Sequence, residues 1–257
     1  MRRLVVTGIP CAPSAWENFL GSHSDQRIIS FYEILEHSQS ADPRQMAEYV
    51  QSQIELFEPA SIVCHDMGVP LTLMSILRMR KRGVPFDSCL TLFNGAFRGV
   101  DIFKASHPFR VQLMSTKRAV REVESHGGII DRRLEKYIGR IRAMYRLIIL
   151  YGIAEKLSNS LGLDQFFGLP SRFPLKVPVQ MIASPNDPYI PFEAIERLRM
   201  DTGAKRFFLL EYGHFPYSGN VDKMVQWVEE FETQTRTAKA RSQARHRKPE
   251  ISQEARL

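Results

Sequence analysis

Ser61-Ile62-Val63-Cys64-His65-Asp66-Met67-Gly68-Val69-Pro70 is the stretch that decides how this chain folds. Its apolar start reads as a buried strand, and Leu71 to Leu77 beyond it reads as a helix. The turn between them, Cys64-x-Asp66-x-Gly68, has the spacing of the G-x-S-x-G nucleophile elbow, where a side chain on a strained corner stands exposed above a sheet. Such a turn needs small residues two places to either side, because strand and helix pack closely there. Gly68 meets that need, and Cys64 is small enough to do so. The central residue must accept a left-handed backbone, and aspartate is among the few non-glycine types that often do. The same residues also fit an ordinary strand-to-helix turn in which Asp66 is only a helix cap.

Upstream of the elbow, Leu4-Val5-Val6 reads as a strand ending in a Thr7-Gly8-Ile9-Pro10 loop, with Trp16 just beyond. Ala15 to Leu20 reads as a short helix and Ile28-Ile29-Ser30-Phe31 as a second strand. Asp42 is a good N-cap and Pro43 suits the first helical position. Met46, Val50, Ile54 and Phe57 then recur at helical spacing, and Pro59 stops the helix. Downstream, Cys89 to Phe93 is a strand ending in Asn94-Gly95. The order so far is β-α-β-α-β-α-β, which suits right-handed parallel crossovers.

From about Phe97 to Phe173 the rhythm changes. Three helical patterns, Phe109 to Ser125, Ile129 to Tyr151 and Ile153 to Leu161, follow one another with no strand pattern. The sheet resumes at Val179 to Ala183, which leads into Ser184-Pro185-Asn186-Asp187-Pro188. Pro191 to Met200 reads as a helix and Arg206 to Leu210 as the last strand. Glu211-Tyr212-Gly213-His214-Phe215-Pro216 follows, and Asp222 to Phe231 forms a closing helix. Ligands of open parallel sheets bind at the C-terminal strand edge, where Asp66, Asp187 and His214 all fall.

The 257 residues are 44% hydrophobic, enough for one domain with an insertion and a sizeable core. No leading segment joins basic residues to an apolar run, and no apolar run reaches the roughly 18 residues of a membrane span, so a cytoplasmic protein is expected. Three scattered cysteines, Cys11, Cys64 and Cys89, make neither a disulfide framework nor a zinc site. Between Thr235 and Leu257, seven Lys or Arg face two acids, so this segment carries five of the seven net positive charges. With no aromatic residue there, it is expected to be a disordered basic tail. Without interleaved aromatics it gives little support to nucleic-acid binding. No metal is expected, since no His, Asp or Glu pair has ligand spacing on one helix face.

One Asp, one acid-bearing loop and one Gly-His loop at three strand ends, in the order nucleophile, acid, histidine, resemble the triad of the α/β-hydrolase fold. The resemblance spans roughly residues 3 to 233. It is strongest at Cys64-His65-Asp66-Met67-Gly68, Asn186-Asp187-Pro188 and Gly213-His214-Phe215-Pro216, while Thr7-Gly8-Ile9-Pro10 resembles the His-Gly-x-Pro loop with Thr for His. It implies an α/β core over 1–96 and 174–234, with a mostly parallel sheet of about six strands flanked by helices, a helical lid over 97–173 and the tail over 235–257. Within the fold, a His-Asp-x-Gly elbow resembles the epoxide hydrolase and haloalkane dehalogenase branch.

That resemblance implies Asp66 as nucleophile, His214 as the base that activates water, and Asp187 as its orienting acid. The backbone N–H groups of Ile9 and Met67 would form the oxyanion hole. Tyr137, Tyr145 and Tyr151 of the lid, with Trp16 and His65, are the candidate substrate-binding residues. A carboxylate attacking an ester would give an unprofitable mixed anhydride, whereas displacement at a saturated carbon gives an alkyl-enzyme ester that water can hydrolyse. Dehalogenases typically place a Trp directly after the nucleophile to hold halide, and Met67 stands there, so an epoxide is the favoured substrate. Two alternatives stay open: a lyase, cyclase or tailoring enzyme with Asp66 as base, and a non-catalytic descendant that binds a ligand. The partner expected is a small-molecule substrate, with no cofactor, nucleic acid or membrane, and a homodimer is left open.

Overall fold

The computed structural model describes residues 1–21, 24–97, 115–160, 174–219 and 221–246. Six strands run in chain order: β1 (Arg3–Val6), β2 (Gln26–Ile29), β3 (Ser61–His65), β4 (Cys89–Phe93), β5 (Val179–Ala183) and β6 (Arg206–Leu209). They form one sheet in the order β2-β1-β3-β4-β5-β6, every neighbouring pair parallel. All residues of β1, β3, β4 and β5 are buried, as expected of a parallel sheet covered on both faces. This is the α/β-hydrolase architecture that the sequence pattern predicts.

Helix α1 (Pro13–Leu20) connects β1 to β2, and α2 (Phe31–Ser38) with α3 (Pro43–Phe57) leads back to β3. Helix α4 (Gly68–Lys81) connects β3 to β4, and α7 (Phe192–Thr202) connects β5 to β6. The chain steps from β1 outward to β2 and then returns past β1 to β3. Right-handed crossovers therefore place α1 on one face and α3 and α4 on the other. Accordingly α3 packs on α4, while α1 packs with the closing helix α8 (Val221–His246). The reversal of direction at β1 and β3 leaves a crevice at their C-terminal ends, and the elbow opens into it.

Local chemistry explains where elements start and stop. Asp42 caps α3 through Arg44 N at 2.9 Å, as its sequence predicts. The second strand ends two residues earlier than expected, because the Ser30 hydroxyl accepts from Glu33 N at 3.2 Å and opens α2 at Phe31. Between β4 and β5 lie α5 (Thr116–Ser125), a 3-10 turn (Arg132–Tyr137) and α6 (Ile138–Ser160). The helix expected from Ile129 begins later, since Ile130 bridges to Cys11 and Asp131 caps the turn through Arg133 N. Gly152 does not divide α6, because one glycine costs a long helix only about 1 kcal/mol. The part of the first helical pattern over 109–114, and Leu161 at the end of the third, lie outside the described residues.

One expectation is corrected at the C-terminus. Residues 235–246, expected to be disordered, continue α8 as helix. Thr235 is buried, and Lys239 reaches Asp87 at 2.6 Å, so this stretch has body contacts that its composition does not reveal. Residues 247–257 lie outside the described residues. No helix among the described residues is long and apolar enough to cross a membrane.

Candidate active site

Asp66 follows directly on β3 with φ +48°, the left-handed corner that the elbow pattern requires. Close packing holds the corner in place. A Cβ on Gly68 would lie 2.1 Å from the Val6 carbonyl oxygen, so the start of α4 can rest on β1 only without a side chain there. A Cβ on Gly8 would lie 2.4 Å from the Asp66 Cβ, so the first loop also depends on glycine to approach the elbow.

The Asp66 carboxylate is anchored at one oxygen. Ile9 N–H donates to Oδ2 at 2.9 Å, and the adjacent Met67 N–H also favours the charged carboxylate. The other oxygen, Oδ1, lies 3.9 Å from His214 Nε2. On the far side of the ring, His214 Nδ1–H donates to Asp187 Oδ2 at 2.8 Å. Asp187 is itself fixed, since its Oδ1 accepts from Tyr189 N at 2.7 Å and Ile190 N at 2.9 Å. Asp66, Asp187 and His214, up to 148 positions apart in the chain, thus stand in one line, with Ile9 and Met67 beside them.

Burial and charge oppose each other here. Burial pushes the Asp66 carboxyl above the usual carboxylate range, against the pull of His214 and the two backbone N–H groups. Burial alone would lower the His214 imidazole. Asp187, through charge and hydrogen bond, and Asp66, through charge, outweigh it and hold His214 above the usual histidine value.

Asp66, Met67, Ile9 and His214 line a cavity whose remaining wall is largely apolar. Ala119, Val120 and Val123 come from α5, Leu134 from the 3-10 turn, and Ile138 and Ile141 from α6. Of the five substrate-binding candidates only Tyr145 lines it. Burial, helped by the charges of Asp66 and Tyr189, holds the Tyr145 phenol well above its ordinary value, so it stays protonated and able to donate.

The other four do not line the cavity. Tyr137 packs against Tyr32 at 5.7 Å between ring centres, on the outer seam of the helical segment. Tyr151 lies under the Arg44 guanidinium at 5.6 Å, beside the cap of α3. Both sit on turns of the helical segment that face α2 and α3 rather than the cavity. Trp16 is fully buried against Phe19 and Phe93. His65 is also fully buried, because alternate residues of a strand point to opposite sides, and its Nε2–H donates to the His214 carbonyl at 2.9 Å. Burial and the neighbouring His214 push its pKa well below the ordinary value, so it stays neutral.

Sequence reasoning missed Tyr189, which lines the cavity from the loop just after Asp187 and stacks edge-on to His214 at 4.8 Å. Its position two residues past the acid was the available signal. Neither tryptophan lines the cavity; Trp227 stacks on Phe208 at 4.2 Å.

No family model matches the chain, and no curated protein does. Solved structures do. The thioesterase RedJ from the prodiginine pathway of Streptomyces coelicolor is 18% identical with a TM-score of 0.59, the match covering 89% of each chain. An epoxide hydrolase of Bacillus megaterium bound to an inhibitor is 17% identical with a TM-score of 0.60, covering 89% of this chain and 92% of the other. The N-acyl homoserine lactonase AidH is 12% identical with a TM-score of 0.60, covering 91% of this chain and 89% of the other. Likeness at this level of identity shows a shared fold.

Proposed function

We propose that this chain, an α/β-hydrolase by fold, is an enzyme that opens epoxides through an aspartate nucleophile and a covalent alkyl-enzyme ester. The observation that carries the reading is the seat of Asp66: Oδ2 is held at 2.9 Å by Ile9 N–H, while Oδ1 lies on the side of His214. The donors that would stabilise a substrate carbonyl in acyl transfer are already occupied by the enzyme's own carboxylate. They come into use only when charge develops on that carboxylate's oxygen, which is what hydrolysis of an ester at Asp66 requires.

In the first step Oδ1 attacks a ring carbon, the carbon–oxygen bond of the epoxide breaks, and Tyr145 or Tyr189 protonates the departing oxygen. In the second step His214 Nε2 takes a proton from water as that water attacks Cγ of Asp66. The tetrahedral charge rests on Oδ2, facing Ile9 and Met67. Collapse breaks the bond between Cγ and Oδ1, and the diol leaves with Oδ1 and the proton held by His214. The proton of the regenerated carboxyl group returns to the phenolate through solvent. The helices between β4 and β5 act as a lid that excludes bulk water, and their apolar lining suits a lipophilic epoxide. Halide displacement is disfavoured, because no indole N–H lines the cavity among the described residues. The Bacillus megaterium epoxide hydrolase among the similar structures agrees with this reading, though a thioesterase and a lactonase stand equally close.

A single turnover in heavy-oxygen water tests it. Label should enter the Asp66 carboxylate, seen by mass spectrometry of the peptide that contains it. Turnover that places label only in the product rules out the covalent route and leaves Asp66 as a base.

A further inference from the structure

Asn94, the residue after β4, adopts φ +30°, a left-handed conformation that asparagine tolerates better than most residues. Its side chain is almost wholly buried, and both ends of the amide are used. Oδ1 accepts from Ser184 N at 2.9 Å, the first residue past β5 on the loop that carries Asp187. Nδ2 donates to the Gly213 carbonyl at 2.9 Å and to the His214 carbonyl at 3.0 Å. The Asn94 carbonyl also accepts from Asp66 N at 3.2 Å. One residue outside the triad therefore bonds to the elbow, the acid loop and the histidine loop.

We propose that Asn94 is a positioning residue: its carboxamide sets the His214 backbone against the Asp187 loop and so aims Nε2 at the Asp66 ester. This rests on the reading of His214 as the base of the second step. Only a carboxamide fits the demand, which is an acceptor at one end and two N–H donors at the other. Aspartate has the same shape and tolerates the same backbone, but it would set an oxygen against two carbonyl oxygens. The bond from the Asn94 backbone to Asp66 does not depend on the side chain, so the nucleophile keeps its support.

Asn94→Asp and Asn94→Gly, both compatible with a left-handed backbone, test the proposal in rapid-quench reactions with styrene oxide. The expected result is ester hydrolysis slowed on the order of 100-fold, the penalty of a misplaced catalytic group, with alkylation spared. The alkyl-enzyme then accumulates and is seen as a mass increase of one styrene oxide. The downfield Nδ1–H resonance of His214 should also shift or broaden. The proposal is overturned if both steps are unchanged, if both fall in parallel, or if neither variant folds by circular dichroism, which would make Asn94 a residue of general stability. Should the wild-type protein form no alkyl-enzyme, it is the aspartate reading that fails. The positioning role is then judged on the His214 resonance and its titration, and unchanged values in both variants sink it.

Discussion

At the scale of single residues, the proposed chemistry depends on two charges that sit close together. The anions Asp187 and Asp66 both raise the His214 pKa above its ordinary value of 6.5. A base must be neutral to accept a proton, so the water activation proposed for His214 should weaken as pH falls through that raised pKa. In the proposed ester of Asp66 the carboxylate charge is gone, and one of the two anions that hold the proton on His214 is lost. The His214 pKa should therefore be lower in the covalent intermediate than in the free protein. Nuclear magnetic resonance titration of His214 in Asp66→Asn, a static mimic of the neutral ester, should show a lower pKa than in the wild type. An equal or higher value would mean that Asp66 does not act on the imidazole. Tyr145→Phe should lower the rate of alkylation roughly 100-fold, the lower range for loss of a general acid, and leave ester hydrolysis intact. Rapid-quench kinetics separates the two steps. Tyr189→Phe with the same effect would place both phenols on the epoxide oxygen.

At the scale of elements, the elbow depends on how closely α4 meets β1. In Gly68→Ala the new methyl would face the Val6 carbonyl at 2.1 Å, and backbone cannot swing aside as a flexible side chain would. The expected cost is about 3 kcal/mol, at the top of the usual overpacking range, or roughly 10 °C in melting temperature for a domain of this size. Calorimetry checks this, and an unchanged melting temperature would show that α4 slides freely. Much of this element was legible in the sequence. Gly68 and Asp66 were readable because small residues and a left-handed centre are local demands. The tyrosines between β4 and β5 were not, since Tyr137, Tyr145 and Tyr151 are one residue type and differ only in which way the backbone turns them.

At the scale of the whole molecule, the first strand is tied to the last helix. Arg3 Nε and Nη2 donate to the two carboxylate oxygens of Glu232 at 2.8 and 2.6 Å, with both side chains under 10% exposed. Glu232→Ala leaves the guanidinium buried without its carboxylate, at an expected cost of about 3–5 kcal/mol. The double variant Arg3→Met with Glu232→Leu removes both charges and should recover most of that loss. Chemical denaturation measures both. A single variant as stable as the wild type would mean that water reaches Arg3 at no cost. The pair spans 229 positions and lies at the sheet's N-terminal edge, away from the cavity, so turnover should hold in any variant that stays folded.

By itself the sequence determined the parallel sheet, the strand limits to within two residues, the elbow, and the order of Asp66, Asp187 and His214. These follow from periodicity, caps and turn chemistry, which act over a few residues. Tertiary structure alone decided that the Ile9 N–H holds the Asp66 carboxylate, that Tyr145 and Tyr189 rather than Tyr137 and Tyr151 face the cavity, and that helix α8 runs on through a stretch whose composition suggested disorder. It also brought Asn94 onto all three loops. Each of these depends on segments that meet only across the folded sheet, and no local pattern encodes where a side chain points once distant segments pack against it.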